Sequence, residues 1–232
     1  MICMRRGKTL IALLLAAAMA FALAGCGKRG VTAEDATNLV QGNLDEIYLG
    51  VFDPDFLKSV NITESEAEET YRGGLETETE YFIYYYGLEE VSDELYQEIV
   101  DLHADIYSYS SYTVQPATEQ SDGSYAVKVT FRPLDIHVQV DEEWADFMTA
   151  FNDDYADVDV DSMTDEEYAA FRSEYSDDYN RRVVDLVKSK LPTMGYGEED
   201  SLVIQVILDD DGYYTMDETS FQMFDTMLLT YP

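Results

Sequence analysis

Apolar residues recur every three or four positions through the first half of the chain, the spacing that places them on one side of an α-helix. Three such stretches follow a threonine or serine that can cap a helix, namely Thr32, Thr63 and Ser92. The first two stretches end at Gly50 and Gly87, and glycine suits the left-handed backbone that closes many helices. The pattern therefore predicts three helices in this part of the chain.

The spacing then changes to alternate positions, which is typical of β-strands. Residues 107–118 and 124–138 flank a turn sequence at residues 120–123 and predict a hairpin. In the second of these strands the apolar positions change parity after Pro133, so we expect a bulge or a bend there.

Both kinds of spacing occur in the last hundred residues. Asp141 opens one helical stretch, and Thr164 caps a longer one that lasts to Pro192. Residues 202–208 are apolar on both faces apart from Gln205, as in a central strand. The remaining predicted elements are a turn at residues 210–212, a strand at 213–216 and a closing helix at 218–229.

The order of these elements is three helices, a hairpin, two helices, a hairpin and a helix. This order predicts an α+β fold, in which an antiparallel sheet of two hairpins packs on about six helices. We expect a single domain over residues 32–232, which is long enough to enclose a hydrophobic core.

The N-terminal end follows a different pattern. Three basic residues within the first eight positions precede an uninterrupted apolar run at residues 10–23. These 14 residues are fewer than the roughly 20 that a helix needs to span a bilayer. They match the apolar part of a secretory signal peptide, which we expect over residues 1–25.

Leu23-Ala24-Gly25-Cys26, at the end of this run, resembles the lipobox of bacterial prolipoproteins. The resemblance implies that the thiol of Cys26 carries diacylglycerol, that the chain is cut before Cys26, and that residues 26–31 form a spacer. Two acyl chains anchor a protein well, whereas one gives only about 10⁴ M⁻¹. We therefore expect a lipid-anchored protein on the extracytoplasmic face of the cell membrane.

The composition is strongly acidic, with 48 Asp and Glu against 14 Lys and Arg and a formal net charge of −34. Removal of the predicted signal peptide would take away three basic and no acidic residues, which lowers the charge to −37. Nucleic-acid binding needs Lys and Arg to displace counterions from phosphates, so nucleic acid is excluded as a partner. The two cysteines are Cys3 and Cys26, so the folded part would hold no disulfide.

Two stretches near the first helices carry a family resemblance. Residues 35–45 (DATNLVQGNLD) with residues 48–50, and residues 63–67 leading to Tyr71, resemble the opening of a domain of unknown function. That domain occurs in small lipoproteins of Gram-positive gut bacteria, chiefly clostridia and their relatives. The matching positions pack helices, so the resemblance implies a location on the outer face of a single-membrane cell and no catalytic residue.

Recognisable catalytic and metal motifs are lacking in the sequence. His103 and His137 come from different predicted elements, a helix and a strand, whereas zinc sites need three or four convergent ligands. Asp157, Asp159 and Asp161 alternate as at the start of a calcium loop, but a serine replaces the turn glycine. Calcium of about millimolar affinity is the most that this loop predicts, and we expect no cofactor.

Tyrosine is unusually frequent, at 19 residues. Tyr84, Tyr85 and Tyr86 would point about 100° apart on a helix, so they cannot all be buried. Exposed tyrosines contact sugars or protein side chains with little loss of side-chain entropy. We therefore predict a binding patch of Tyr84, Tyr85 and Tyr109, where the second helix and the first strand would meet.

Together these features predict a lipid-anchored extracytoplasmic protein without catalytic activity. Its partner, besides the membrane, would be a cell-surface protein or a component of the cell wall. The alternative is an extracytoplasmic hydrolase acting on cell-wall or host glycans, since two carboxylates can converge in any chain this acidic.

Overall fold

The computed structural model describes residues 31–210 and 212–232, so the predicted signal peptide and Cys26 lie outside the described residues. Seven α-helices and five β-strands are found in this part, as α+β organisation predicts. The helices are α1 (Ala33–Leu49), α2 (Pro54–Val60), α3 (Glu64–Tyr86), α4 (Asp93–Tyr107), α5 (Ile136–Asp154), α6 (Asp165–Lys190) and α7 (Glu218–Leu228). The strands are β1 (Ser111–Val114), β2 (Thr118–Glu119), β3 (Tyr125–Arg132), β4 (Asp200–Leu208) and β5 (Tyr214–Met216).

Threonine side chains fix the starts of three helices. Thr32, Thr63 and Thr164 precede α1, α3 and α6, and each accepts a hydrogen bond from the backbone N–H three residues later. The acidic side chain at that later position accepts from the threonine N–H, which completes a capping box. Helices α1 and α3 end at Gly50 and Gly87, whose φ angles are 59° and 67°. The predicted ends of these helices are confirmed.

The second predicted strand is wrong in its last third. β3 ends before Pro133, and α5 begins at Ile136 rather than at Asp141. Pro133 has no N–H to donate to a neighbouring strand, so the ladder stops there. The strand is predicted from the alternate apolar positions Leu134, Ile136 and Val138. In the structure Ile136 and Val140, four positions apart, share the buried face of a helix, and Val138 is 40% exposed. His137 therefore lies on a helix.

The first predicted strand is also shorter than expected. Helix α4 continues to Tyr107, and strand pairing begins only at Ser111. The ring of Tyr107 packs on that of Tyr48 with their centroids 5.2 Å apart, so it belongs to the buried face of the helix. Tyr109 lies in the turn between α4 and β1 rather than in a strand.

The sheet is antiparallel, in the order β1-β3-β4-β5, and β2 also pairs with β3. Val127 of β3 lies opposite Ile204 of β4, and both are fully buried. On the other face Val203 is 43% exposed, beside the exposed Lys128. The expectation that residues 202–208 are buried on both faces is therefore wrong. β4 is central in its pairing, but only one face of the sheet belongs to the core.

The core contains closely packed aromatic rings and one buried carboxyl. Helix α1 approaches α2 so closely that a Cβ on Gly42 would overlap the ring of Phe56. Glu46 on the same helix is fully buried, and neither of its carboxylate oxygens has a hydrogen-bond partner in the described part. Burial raises the pKa of Glu46 to about 7.

Among the described helices, none has both the length and the apolar character that a membrane crossing requires.

Candidate functional site

The last two turns of α3 present four tyrosines, Tyr81, Tyr84, Tyr85 and Tyr86. Positions three and four apart lie on the same side of a helix, and the ring of Tyr81 is 6.4 Å from that of Tyr84 and 6.2 Å from that of Tyr85. Tyr84 is 55% exposed, Tyr85 is half-buried and Tyr86 is buried. This graded burial follows from the 100° step between successive side chains.

The first turns of α5 form the facing wall. Trp144 packs on Tyr86 with the ring centroids 5.2 Å apart, and Val140 and Asp141 lie one turn earlier on the same side. Between the two helices is a cavity of about 500 Å³, a size common among ligand sites. We call it the aromatic cavity. Its lining residues are Tyr81, Tyr84, Tyr85, Tyr86, His137, Val140, Asp141 and Trp144.

His137 is a buried histidine at this cavity. Its Nδ1 atom lies 2.9 Å from the hydroxyl of Tyr86, and its ring stacks on Tyr231 with the centroids 3.8 Å apart. Nε2 has no hydrogen-bond partner within the described residues. Burial lowers the pKa of His137 well below its usual value, so the ring is neutral at physiological pH. An unpaired buried nitrogen costs about 1–3 kcal/mol, which the fold tolerates at this place.

Tyr231 packs against two residues that line the cavity, His137 and Tyr85. Its hydroxyl donates to Glu78 Oε1 at 2.7 Å and lies 3.4 Å from Nε2 of the buried His103. Its ring also packs on Tyr85, whose hydroxyl donates to the backbone oxygen of Pro232 at 2.5 Å. Burial lowers the pKa of His103 to about 4, so this histidine is neutral as well. The hydrogen bonds and ring contacts of Tyr231 and Tyr85 therefore hold the aromatic walls of the cavity in place.

The charge at the cavity is negative. Asp141 is the charged side chain among the described lining residues, and no ion pair joins it to a Lys or Arg of the described part. Burial, and then the charge of Asp141, raises the pKa of Tyr85. Burial raises the pKa of Tyr86 most, followed by Tyr85 and then Asp141. Burial, and then Glu78, raises the pKa of Tyr81 to about 12. These hydroxyls are therefore protonated, and the charge among the described lining residues is the negative charge of Asp141.

Tyr86 also lines another concave surface, of about 480 Å³, which we call the second groove. Its walls are Tyr86, Gly87, Glu89, Met148, Tyr168, Phe171, Arg172, Tyr175, Ser176 and Tyr179. Several of its polar side chains have partners in the protein: Arg172 pairs with Glu89 at 3.4 Å, and Ser176 donates to the Glu89 carbonyl at 2.8 Å. The hydroxyl of Tyr179 donates to the Tyr86 carbonyl at 2.8 Å.

The structure brings Tyr84 and Tyr85 of the predicted patch to one cavity and places Tyr109 outside it. Tyr109 is 49% exposed, and its carbonyl accepts a hydrogen bond from Tyr196 at 2.8 Å. It is not one of the residues that line the aromatic cavity. Tyr109 is therefore an exposed tyrosine that can serve as a control for Tyr84.

The sequence-based prediction lacks the α5 wall of the cavity, because it places His137 on a strand and does not connect the helix of Asp141 and Trp144 with the tyrosines. Asp141 and Trp144 are three positions apart, and Tyr81 and Tyr85 are four apart, so each pair lies on one side of its helix. This spacing could have indicated two aromatic helix faces. Nothing in the spacing shows that the two faces meet, because that depends on how α3 and α5 pack.

The acidic residues considered for calcium do not form a visible site. Asp157, Asp159 and Asp161 are all exposed, in the segment between α5 and α6. In residues 31–210 and 212–232, no group of three or more Asp, Glu, His or Cys side chains is placed to hold a metal ion. The calcium site stays a prediction to which the geometry adds no support.

No protein-family model matches the chain, and no curated protein sequence matches it. The resemblance to the gut-bacterial lipoprotein domain therefore stays a prediction. The fold is similar to that of a solved protein of Bacillus subtilis, ycdA, which is provisionally described as a lipoprotein. The TM-score is 0.48 at 16% identity, over 82% of this chain and 55% of that protein. The chain thus spans about half the length of ycdA, and so distant a likeness says nothing about function.

Proposed function

We propose that this chain is a non-catalytic binding protein, held on the extracytoplasmic face of the membrane by a lipid on Cys26. Its aromatic cavity would contact a component of the cell surface. The observation that carries the proposal is the convergence of Tyr81, Tyr84, Tyr85 and Trp144 around one cavity of about 500 Å³. Concave sites lined by aromatic rings with a few polar groups are the usual form of ligand sites.

The rival function, a glycan hydrolase, has less support at this cavity. Glycosidases use two carboxyl groups on either side of the scissile bond, about 5 to 10 Å apart. Asp141 is the one carboxylate among the described lining residues. A single carboxylate can orient a ligand, but it does not supply both an acid and a nucleophile.

Binding to cell walls tests the proposal. Purified wild-type protein in a non-ionic detergent should cosediment with the insoluble walls of the producing bacterium. Tyr84→Ala should weaken this binding about thirtyfold, since loss of an aromatic anchor costs about 2 kcal/mol. Tyr84 is a better probe than Tyr85, because Tyr85 also packs on Tyr231 and its truncation would disturb the cavity itself.

Tyr109→Ala is the matched control, because it removes an equally exposed tyrosine away from the cavity. Equal binding by the two variants would contradict the proposal. Protease treatment of the walls separates the two kinds of partner: binding that survives points to a wall component, and binding that is lost points to a surface protein. Release of soluble glycan fragments that stops in Asp141→Asn would instead establish the hydrolase.

The anchor is tested separately. Cell fractionation should place the wild-type protein in the membrane fraction with a lipid on Cys26. Cys26→Ser should accumulate as a precursor that keeps the predicted signal peptide, because the lipidated cysteine directs cleavage in prolipoproteins. Mass spectrometry that finds an unmodified Cys26 in the processed wild-type protein would rule the anchor out.

A further inference from the structure

We infer that the aromatic cavity selects a ligand with a methylated ammonium group, such as the trimethylammonium of choline. The inference rests on the proposed function, since it names the chemistry recognised at the same site. It follows from three properties of the cavity, which are its rings, its charge and the state of its hydroxyl groups.

The rings provide the attraction for a cation. The face of an aromatic ring carries negative charge density and attracts ammonium groups, most strongly in tryptophan and tyrosine. The ring planes of Tyr85 and Tyr86 meet at 88°, and those of Tyr86 and Trp144 at 44°. The rings are therefore inclined walls rather than one flat stack. Inclined walls can surround a compact group such as trimethylammonium.

The charge of the cavity has the matching sign. Asp141 adds a carboxylate at the rim, and no Lys or Arg is found among the described lining residues. Lys190, near the same helix, is held by Glu143 at 2.6 Å. The formal net charge of −34 also raises the concentration of cations around the protein. An anionic ligand would be repelled here.

The hydroxyl groups argue against a neutral sugar. Sugars are held by several hydrogen-bonding groups that converge on the ring hydroxyls. Here the hydroxyl of Tyr85 already donates to the Pro232 backbone, and that of Tyr86 lies 2.9 Å from His137 Nδ1. A trimethylammonium group has no N–H and needs no hydrogen bond, so it suits a cavity in which the hydroxyls of Tyr85 and Tyr86 are already engaged within the protein.

Tryptophan fluorescence can test this inference at the site itself. Trp144 is the single tryptophan of the sequence, and it lines the cavity. Purified full-length protein is titrated with choline chloride while the emission of Trp144 is followed. The matched ligand is the neutral alcohol in which carbon replaces the nitrogen of choline. Choline should bind at least about tenfold more tightly than this alcohol, because only the charged ligand gains the cation–π attraction of the rings.

Two pairs of variants localise the effect. Tyr84→Ala should weaken choline binding about fivefold or more through loss of one ring, and Tyr109→Ala should leave it unchanged. Asp141→Asn should weaken it about threefold, as expected for a partly exposed charge. Asp146→Asn is the matched control, since it removes an exposed carboxylate of the same helix that does not line the cavity. The effect of Asp146→Asn therefore measures how much choline binding weakens when only the overall negative charge is lowered.

The outcomes separate the inference from the proposed function. Equal affinity for choline and the neutral alcohol would overturn the inference that the cavity selects a cation. Equal effects of Asp141→Asn and Asp146→Asn would overturn it as well. Wall binding that depends on Tyr84 while choline leaves Trp144 unaffected would overturn the inference and keep the proposed function. If neither choline nor walls require Tyr84, both are wrong.

Discussion

The aromatic cavity and the second groove share Tyr86 as a wall, and their volumes are nearly the same, about 500 and 480 Å³. Tyrosine is the most frequent lining residue of both. They differ in what their polar groups contact. In the second groove, Arg172 and Ser176 both interact with Glu89. At the cavity, His137 Nε2 has no partner and Asp141 no ion pair in the described part of the chain.

This difference shows which aromatic surfaces are packing and which are candidate sites. The second groove is explained by the docking of α6 on the turn after α3, because Arg172, Ser176 and Tyr179 of α6 all contact residues 86–89. Two aromatic rings outside the aromatic cavity already have an arginine of the protein over their faces. Arg182 lies 5.4 Å from the ring centre of Phe151, and Arg132 lies 4.7 Å from that of Tyr196. Abundance of tyrosine alone therefore does not identify a site.

The largest expected effect comes from the residue that the two regions share. Tyr86 is buried, and it contacts both His137 and Trp144. Tyr86→Ala should lower the free energy of unfolding by about 3–5 kcal/mol, the usual cost of truncating a buried aromatic residue. Urea unfolding followed by circular dichroism measures the change.

Two milder variants sharpen that result. Tyr86→Phe keeps the ring and should cost about 1–3 kcal/mol, because loss of the hydroxyl leaves Nδ1 of the buried His137 without its partner. Ser176→Ala should cost about 1 kcal/mol by removing the bond to Glu89, and it should leave choline and wall binding unchanged. If Ser176→Ala weakened binding as much as Tyr84→Ala, the distinction between the two regions would not hold.

A smaller effect should appear only at acidic pH. The pKa of His137 is depressed in the folded protein, whereas an unfolded histidine titrates near 6.5. Below pH 6.5 the unfolded chain therefore binds a proton that the folded ring does not. The free energy of unfolding then falls by about 1.4 kcal/mol per pH unit while the folded ring stays neutral. Relative to the wild type, His137→Gln should gain about 2 kcal/mol between pH 6.5 and pH 5.

Urea titrations at several pH values measure this difference, and other titrating groups largely cancel between the two proteins. Ser176→Ala changes no titrating group, so its difference from the wild type should not vary with pH. A constant difference for His137→Gln as well would mean that the folded His137 is protonated in this range.

The helices capped by threonine show which features of the fold local sequence can predict. The capping boxes of α1, α3 and α6 need only residues three positions apart, so they were predictable without knowledge of the fold. The start of α5 was not, because Leu134, Ile136 and Val138 alternate as they would in a strand. That error placed His137, one of the residues that line the aromatic cavity, on a strand.

The sequence by itself determined the α+β class, the long capped helices, the acidic charge, the expectation of a lipid on Cys26 and the exposure of at least one of three consecutive tyrosines. These properties depend on composition or on neighbours within one helical turn. Tertiary structure alone decided that Tyr84 and Tyr85 face Trp144, that Tyr109 lies elsewhere, and that Glu46 is buried without a partner. The reason is physical: a side chain's partner across a helix interface depends on how whole helices pack, and that packing minimises the free energy of the entire core.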